Sequence, residues 1–225
     1  MHDVFIAEPS WRGHALIFAV NFANIISEMG PKVMLAVPET SNENKTHIEL
    51  CLESIRNEVD VRTSLKSFEN GFGKVFSKNT EMVTGSLLDE HEKTSAPRML
   101  LPTGDAMVSM AGSGSQASRL KKHRPRSIVH QPRLGYGGFG LRFSIGREII
   151  RHRMRKCGHR MMTMDTLTHR SAVKSGIDMG LIQMPTSPIT NMNKSEARDL
   201  LGIPRSARVI SVLGEHSERK GTLEI

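Results

Sequence analysis

Apolar and polar positions along this chain fall into blocks whose period changes from one block to the next. Val4 to Ala7 is a short unbroken apolar run, the pattern of a strand buried on both faces. A polar loop follows, Glu8-Pro9-Ser10-Trp11-Arg12-Gly13-His14, and then apolar residues fill most positions from Ala15 to Met29. The polar exceptions Asn21, Asn24, Ser27 and Glu28 recur at helical spacing, so they form one narrow wet stripe on an otherwise covered helix. Gly30-Pro31 ends that helix, and Lys32 to Val37 predicts a second buried strand. Strand, helix and strand in about 35 residues make a βαβ unit.

The alternation continues with interruptions. Ile48, Leu52, Ile55 and Val59 predict a helix over Thr46 to Val59, and Val61 to Leu65 a strand. Residues 66–97 show only one readable helix, around Phe72 to Leu88. Arg98 to Pro102 reads as a strand closed by the turn Pro102-Thr103-Gly104-Asp105, and a helical segment then runs to Lys122. Ser127 to Val129 is the next strand, ending at His130-Gln131-Pro132. The glycine-rich loop Gly135 to Gly140 separates it from a cationic helix over Leu141 to Lys156. Arg160 to Asp165 is a strand, Leu167 to Gly176 a helix, and Gly180 to Met184 a strand. The pattern predicts an α/β fold over residues 1–184, a doubly wound, Rossmann-like parallel sheet flanked by helices. A Pro/Ser/Thr/Asn linker follows over 185–194, and residues 195–225 open a second α/β domain that is incomplete.

Composition narrows the class. The chain has 225 residues, of which 38% are hydrophobic and 24% charged, so it is globular in character. No apolar run is long enough to span a bilayer, and the first strand begins at Val4, so a cytoplasmic chain without a signal peptide is expected. Its two cysteines, Cys51 and Cys157, are too few for a disulfide framework, and Cys51 reads as core packing. The net charge of +8 is uneven. Residues 119–160 hold 13 of the 31 Lys and Arg against one acid, Glu148. Such a patch attracts phosphate, anionic lipid or nucleic acid.

The stretch near the end carries the chemistry. Ser195 reads as the N-cap of a short helix that stops at Gly202, with Pro204 just beyond. Val209 to Leu213 reads as a buried strand, Gly214 opens a polar loop, and Arg219-Lys220-Gly221 leads into a helix start. A strand, a glycine turn and a helix N-terminus preceded by cations suit phosphate. "LGIP…ARVISVLGEHSERKGTLEI" resembles the opening of the C-terminal domain of GT-B glycosyltransferases of the family 4 type, in which a basic residue followed by Lys-Gly binds the diphosphate of a nucleotide-sugar. Lys220-Gly221 match that pattern; Glu215 stands where the family usually has an arginine. In a second departure, the family's C-terminal domain carries a Glu-x7-Glu motif that is not found here, where the sequence stops at Ile225.

The resemblance implies transfer of a sugar from a nucleotide-diphosphate donor to an unknown acceptor, with no cofactor and no metal. It implies that residues 1–184 are the acceptor-side domain and that 195–225 begin the donor domain. His130, after a strand, matches the position of a histidine found against the reacting sugar. Gly13, Arg219 and Lys220 are the implied donor-phosphate ligands, and His14, Asp105 and Arg133 are further cleft candidates. Because the donor domain breaks off, the chain by itself is expected not to turn over a sugar nucleotide.

Two rival readings come from other classes. One is a basic module in which residues 119–160 contact phosphate, an anionic membrane or nucleic acid; the aromatic content of 4% disfavours base stacking. The other is a Rossmann oxidoreductase using Gly135 to Gly140, which formally fits G-x-G-x-x-G. Pro132-Arg133-Leu134 intervene between that loop and its strand, and Asp165 lies 25 residues past Gly140. Each cleft residue also has a plain role open to it, His14 and His130 as loop hydrogen-bonders and Asp105 as a turn residue or helix cap.

Overall fold

The computed structural model describes residues 1–11, 14–68, 78–103, 116–129, 152, 160–174, 176, 178–182 and 193–208. Seven parallel strands form one sheet: β1 (Val4–Ala7), β2 (Val33–Pro38), β3 (Val59–Leu65), β4 (Arg98–Leu101), β5 (Arg126–Val129), β6 (Arg160–Thr163) and β7 (Met179–Leu181). Their order is β3-β2-β1-β4-β5-β6-β7. The chain winds one way from β1 to β3 and the other way from β4 to β7. This is a doubly wound, Rossmann-like α/β fold.

The strands read as near-continuous apolar runs because both faces are covered. Every residue of β1 and β2 is buried. Alternate residues serve two cores. On one face Phe5, Ala7, Met34, Ala36, Met99 and Leu101 meet Val83, Leu87 and Leu88 of α3 (Lys78–Thr94) and Leu120 of α4 (Ala117–His123). On the other, Val4, Ile6, Val33, Leu35 and Val37 meet Leu16, Ala19, Val20 and Ala23 of α1 (Ala15–Glu28), with Ile48 and Cys51 of α2 (Lys45–Leu52). Val59 and Leu65 share a parity but lie in opposite cores. The register between β2 and β3 slips there, Val37 pairing with Thr63 and Pro38 with Leu65, and the extra residue turns Leu65 over.

Several boundaries differ from those the periodicity predicts. The second helix stops at Leu52, and Val59 opens β3 instead of closing the helix. The stop has a partner on α1: the Asn24 amide donates to the Ser54 carbonyl (2.9 Å) and accepts from the Arg56 N–H (3.0 Å). Asn24 thus holds the turn between α2 and β3 and is not merely a wet position. Nor is α1 covered all round, since Ile17 and Ile25 are 48% and 38% exposed beside Asn21. The third helix runs on to Thr94, past Leu88, because Glu90, His91 and Thr94 are buried polar residues that a search for apolar spacing passes over. β6 ends at Thr163, where Asp165 caps α5 (Thr166–Lys174), and β7 begins at Met179. The glycine-rich loop at 135–140, the helix expected over 141–156 apart from the helical His152, and the strand expected over 209–213 lie outside the described residues.

The chain divides into two compact units, Met1–Pro185 and Thr186–Ile225. In the second, α6 (Lys194–Leu200) is capped by Asn193, not Ser195. Asn193 and Glu196 form a reciprocal capping box, each side chain accepting from the other's backbone N–H at 3.0 Å. Gly202, at φ +64°, ends the helix in the left-handed conformation that glycine adopts without strain. Among the described residues no helix is long and apolar enough to cross a membrane.

Candidate functional site

In an open parallel sheet, ligands bind beyond the strands' C-terminal ends, where the order reverses and adjacent loops diverge. Here that place lies between β1 and β4. β1 ends at Ala7, and the Glu8 N–H still bonds the Ala36 carbonyl (3.0 Å), so Glu8 continues the ladder by one residue. Its side chain is 1% exposed. One carboxylate oxygen accepts from the Ser10 N–H (2.9 Å), the other from the hydroxyl of Thr103, two residues past the end of β4. Ser10 and Thr103 are buried as well. A carboxylate out of water is costly unless hydrogen-bonded, and these donors come from both loops that diverge at the reversal. Glu8 therefore clasps the loop after β1 to the loop after β4.

The neighbouring residues build outward from this clasp. Trp11 is half-buried against the α1–α2 core, with the His47 ring edge-on at 6.4 Å. His14 is exposed at the N-cap position of α1. Its side chain makes no capping bond, and its ring lies 6.0 Å from that of Phe18. The first turn of α1 thus opens next to the β1 loop without a bond from its N-cap side chain, and N–H groups so placed can receive an anion. Beyond β2 and β3, Lys66 Nζ meets Glu39 at 2.6 Å on the surface. Beyond β6, Asp165 accepts from the Thr168 N–H (2.6 Å), and its bonds to Thr168 hold it below the usual carboxylate range. Among the described residues no group of three or more His, Cys, Asp and Glu is placed to hold a metal ion.

Of the residues singled out from the sequence, His14 lies at this edge, after β1. Gly13, Asp105, His130, Arg133, Arg219 and Lys220 lie outside the described residues. Glu8 is the residue that sequence reading missed. It appeared there only as the first polar position of a loop. Its signal was an acid directly following a fully apolar first strand, since in a doubly wound sheet the first strand borders the reversal.

A second buried polar cluster lies at the opposite edge. His91 Nε2 donates to the Ala96 carbonyl (2.8 Å), so its Nδ1 accepts, and His123 Nδ1 stands 2.7 Å from it as donor. His123 Nε2 is 3.0 Å from Glu92. Burial, and then the charge on His123, push the His91 pKa below its ordinary value. His123 and Arg119 hold Glu92 below the usual carboxylate range. This cluster joins α3 to α4 beneath β4 and faces no strand C-terminus.

No protein-family model matches the sequence, and no curated protein sequence matches it either. Solved structures do. The chain is similar to UDP-N-acetylglucosamine 2-epimerase from Rickettsia bellii, with a TM-score of 0.50 at 16% identity, over 79% of this chain and 43% of that one. It is similar to the apo form of UGT2 from Phytolacca americana, with a TM-score of 0.50 at 12% identity, over 88% of this chain and 54% of that one. These likenesses show the fold, and the chain spans about half the length of the structures it matches.

Proposed function

We propose that this chain is part of a GT-B glycosyltransferase of the family 4 type, which transfers a sugar from a nucleotide-diphosphate donor to an acceptor. The observation that carries the reading is the clasp of Glu8, Ser10 and Thr103 at the reversal of the sheet, beside the uncapped first turn of α1. Support also comes from the Lys220-Gly221 motif and from the fold, shared with a protein named for a UDP-sugar. In this reading the first turn of α1, with Gly13, faces donor phosphate, and His14 and Asp105 belong to the cleft. His130 stands by the reacting sugar, and Arg219 and Lys220 serve the diphosphate. A leaving diphosphate is stabilised by such cations and helix-start N–H groups without metal.

The dinucleotide reading is weaker on topology. Gly135 to Gly140 follows β5, and β4, β5 and β6 succeed one another in a single direction. The dinucleotide fingerprint belongs to the turn after the first strand, at the reversal. That turn here reads Glu-Pro-Ser-Trp.

The test is calorimetric titration of the whole chain with UDP-, GDP- and ADP-sugars and with NAD and NADP. Saturable binding of one nucleotide-sugar is expected, weakened by Thr103→Val, with no binding of either dinucleotide. Saturable NAD or NADP binding that Gly137→Ala abolishes, without any response to nucleotide-sugars, would replace the transferase reading with the oxidoreductase one.

A further inference from the structure

The edge opposite the clasp carries an unbalanced charge. Three neighbouring strands each open on an exposed arginine: Arg98 on β4, Arg126 on β5 and Arg160 on β6. The register aligns them. Leu100 pairs with Arg126 and Arg126 with Arg160, so those two arginines sit side by side about 4.8 Å apart. Arg98 precedes Leu100 by two residues, which puts all three on the same face of the sheet. Exposed Lys121, Lys122 and Arg124 stand at the end of α4, directly before β5.

None of these six cations has an ion pair among the described residues, where several other cations do. Arg56 pairs with Glu28, Arg62 and Lys93 with Glu90, Lys66 with Glu39, and Arg205 with Asp199. Of the acids near the strand starts, Asp89 and Glu92 hold Arg119 and His123, Asp3 bonds the Lys32 N–H, and Asp60 bonds His2; Asp178, exposed directly before β7 and beside Arg160 in register, offsets one charge of the rim. The positive run continues in the sequence just before Arg160, with Arg151, Arg153, Arg155 and Lys156.

We infer that the rim formed by Arg98, Arg126, Arg160 and the end of α4 is an electrostatic docking surface for an anionic lipid bilayer. The cations are spread across three strands and a helix end, a row that fits many headgroups better than a single phosphate. No aromatic side chain stands among these six residues to stack a base, so a nucleic acid gains only its backbone charge there. Basic side chains near a surface of anionic lipid each strengthen attachment, and salt weakens it.

The position of the rim adds a consequence for the reversal site, one that rests on the reading of that site as the transferase cleft. The rim lies at the strand starts and the clasp at the strand ends, on the order of 15 Å away along strands of four to six residues. A bilayer met at the rim leaves the clasp facing water. The acceptor is then a water-soluble molecule, or a headgroup long enough to leave the membrane. Attachment itself is independent of what the reversal site binds.

The experiment is co-sedimentation of the whole chain with phosphatidylglycerol-containing vesicles and with pure phosphatidylcholine vesicles, at low and at raised salt. Binding to the anionic vesicles alone, lost with salt, is expected. The triple variant Arg98→Gln, Arg126→Gln, Arg160→Gln should lower the partition coefficient on the order of a hundredfold, about fivefold per arginine, with an unchanged melting temperature. Should that variant fold poorly, Lys121→Gln with Lys122→Gln, on an exposed helix end, should lower it on the order of twentyfold. Three results would overturn the inference. They are no binding to anionic vesicles at low salt, release by millimolar inorganic phosphate, which marks a discrete phosphate site, and displacement by duplex RNA or DNA, which marks a nucleic-acid surface.

Discussion

The two buried polar clusters of this protein sit at opposite edges of one sheet and do different work. The acidic one, Glu8 with Ser10 and Thr103, joins two loops at the strand C-termini, where the winding reverses. The imidazole one, His91 with His123, joins two helices at the other edge, where the strands begin. Both bury groups that cost free energy when left unpaired. The first places its bonds where a ligand meets a doubly wound sheet; the second places them away from the strand C-termini, where they tie two helices together. Burial of a polar group therefore marks a strong constraint, and its place in the winding order separates a site from a strut.

Removing the acid tests this most severely. Glu8→Ala leaves the Thr103 hydroxyl and the Ser10 N–H without an acceptor they now have, at a cost of about 3 kcal/mol. Urea unfolding should show it as a lower midpoint with an unchanged slope. Glu8→Gln keeps the volume and one acceptor oxygen and should lose less than half as much. A Glu8→Ala protein as stable as the wild type would show that the clasp holds nothing.

The imidazole cluster differs in responding to mild acid. His91 is harder to protonate in the fold than in the unfolded chain, so the unfolded state takes up protons first as pH falls through about 6.5. Stability from this ring is full above that pH and declines below it, until the folded ring itself titrates. The slope is at most about 1.4 kcal/mol per pH unit. His91→Leu strands the Ala96 carbonyl and the His123 donor, costs about 2 kcal/mol near neutral pH, and removes this slope. Glu92 is also lowered, so its contribution is likewise lost on acidification, but only near and below about pH 4.3. Melts between about pH 7 and pH 5 that are equally steep in wild type and His91→Leu would exclude His91 as the source.

The sheet could be read from the sequence because buried parallel strands leave an unmistakable trace. Val4 to Ala7 and Val33 to Pro38 are apolar throughout, and each is a strand with every residue buried. Where polar residues are buried, that trace fails. The third helix passes Leu88 through Glu90, His91 and Thr94, whose bonds to Arg62, His123 and the Ala96 backbone are made to residues outside the helix. Val59 fits helical spacing from Ile48, yet the turns around Ser54, held by Asn24 on another helix, make it a strand residue. The same holds at the candidate site. Trp11, His14 and Thr103 were legible as loop residues after apolar strands, but Glu8 acquires its meaning only when β1 and β4 are seen to be neighbours.

Thr103→Val sharpens the contrast at the site. Valine fills the same space without the hydroxyl, so Glu8 loses a donor while the packing stays. The expected loss is about 1.5 kcal/mol, smaller than for Glu8→Ala because the Ser10 N–H remains. The same substitution at Thr84, whose hydroxyl donates to the Thr80 carbonyl within α3, should cost under about 1 kcal/mol, since that carbonyl is a helix acceptor in its own right. Equal losses at the two threonines would mean that the clasp has no more weight than an ordinary helix side-chain bond.

The smallest effect belongs to a polar pair of similar geometry that is not buried. Asn193 and Glu196 exchange two bonds of 3.0 Å at the start of α6, a helix with no buried residue. With no apolar face to hold it, α6 depends on its ends. Asn193 and Glu196 satisfy two N–H groups at the start, and Arg198 donates to the Pro204, Arg205 and Ala207 carbonyls beyond the end. Water stands ready to replace each bond, so losing one costs far less than losing a bond of Glu8. Asn193→Ala should destabilise the helix by about 1 kcal/mol, and Ser195→Ala, inside the helix and not its cap, by no more than a few tenths. Because α6 belongs to the second unit, hydrogen exchange at its own amides is the suitable measure. Asn193→Ala should speed exchange across α6 by about fivefold while the amides of β1 and β4 keep their rates. If Ser195→Ala produced the larger acceleration, the helix would start at Ser195 as the sequence pattern alone suggests, and the reciprocal bonds of Asn193 would be incidental.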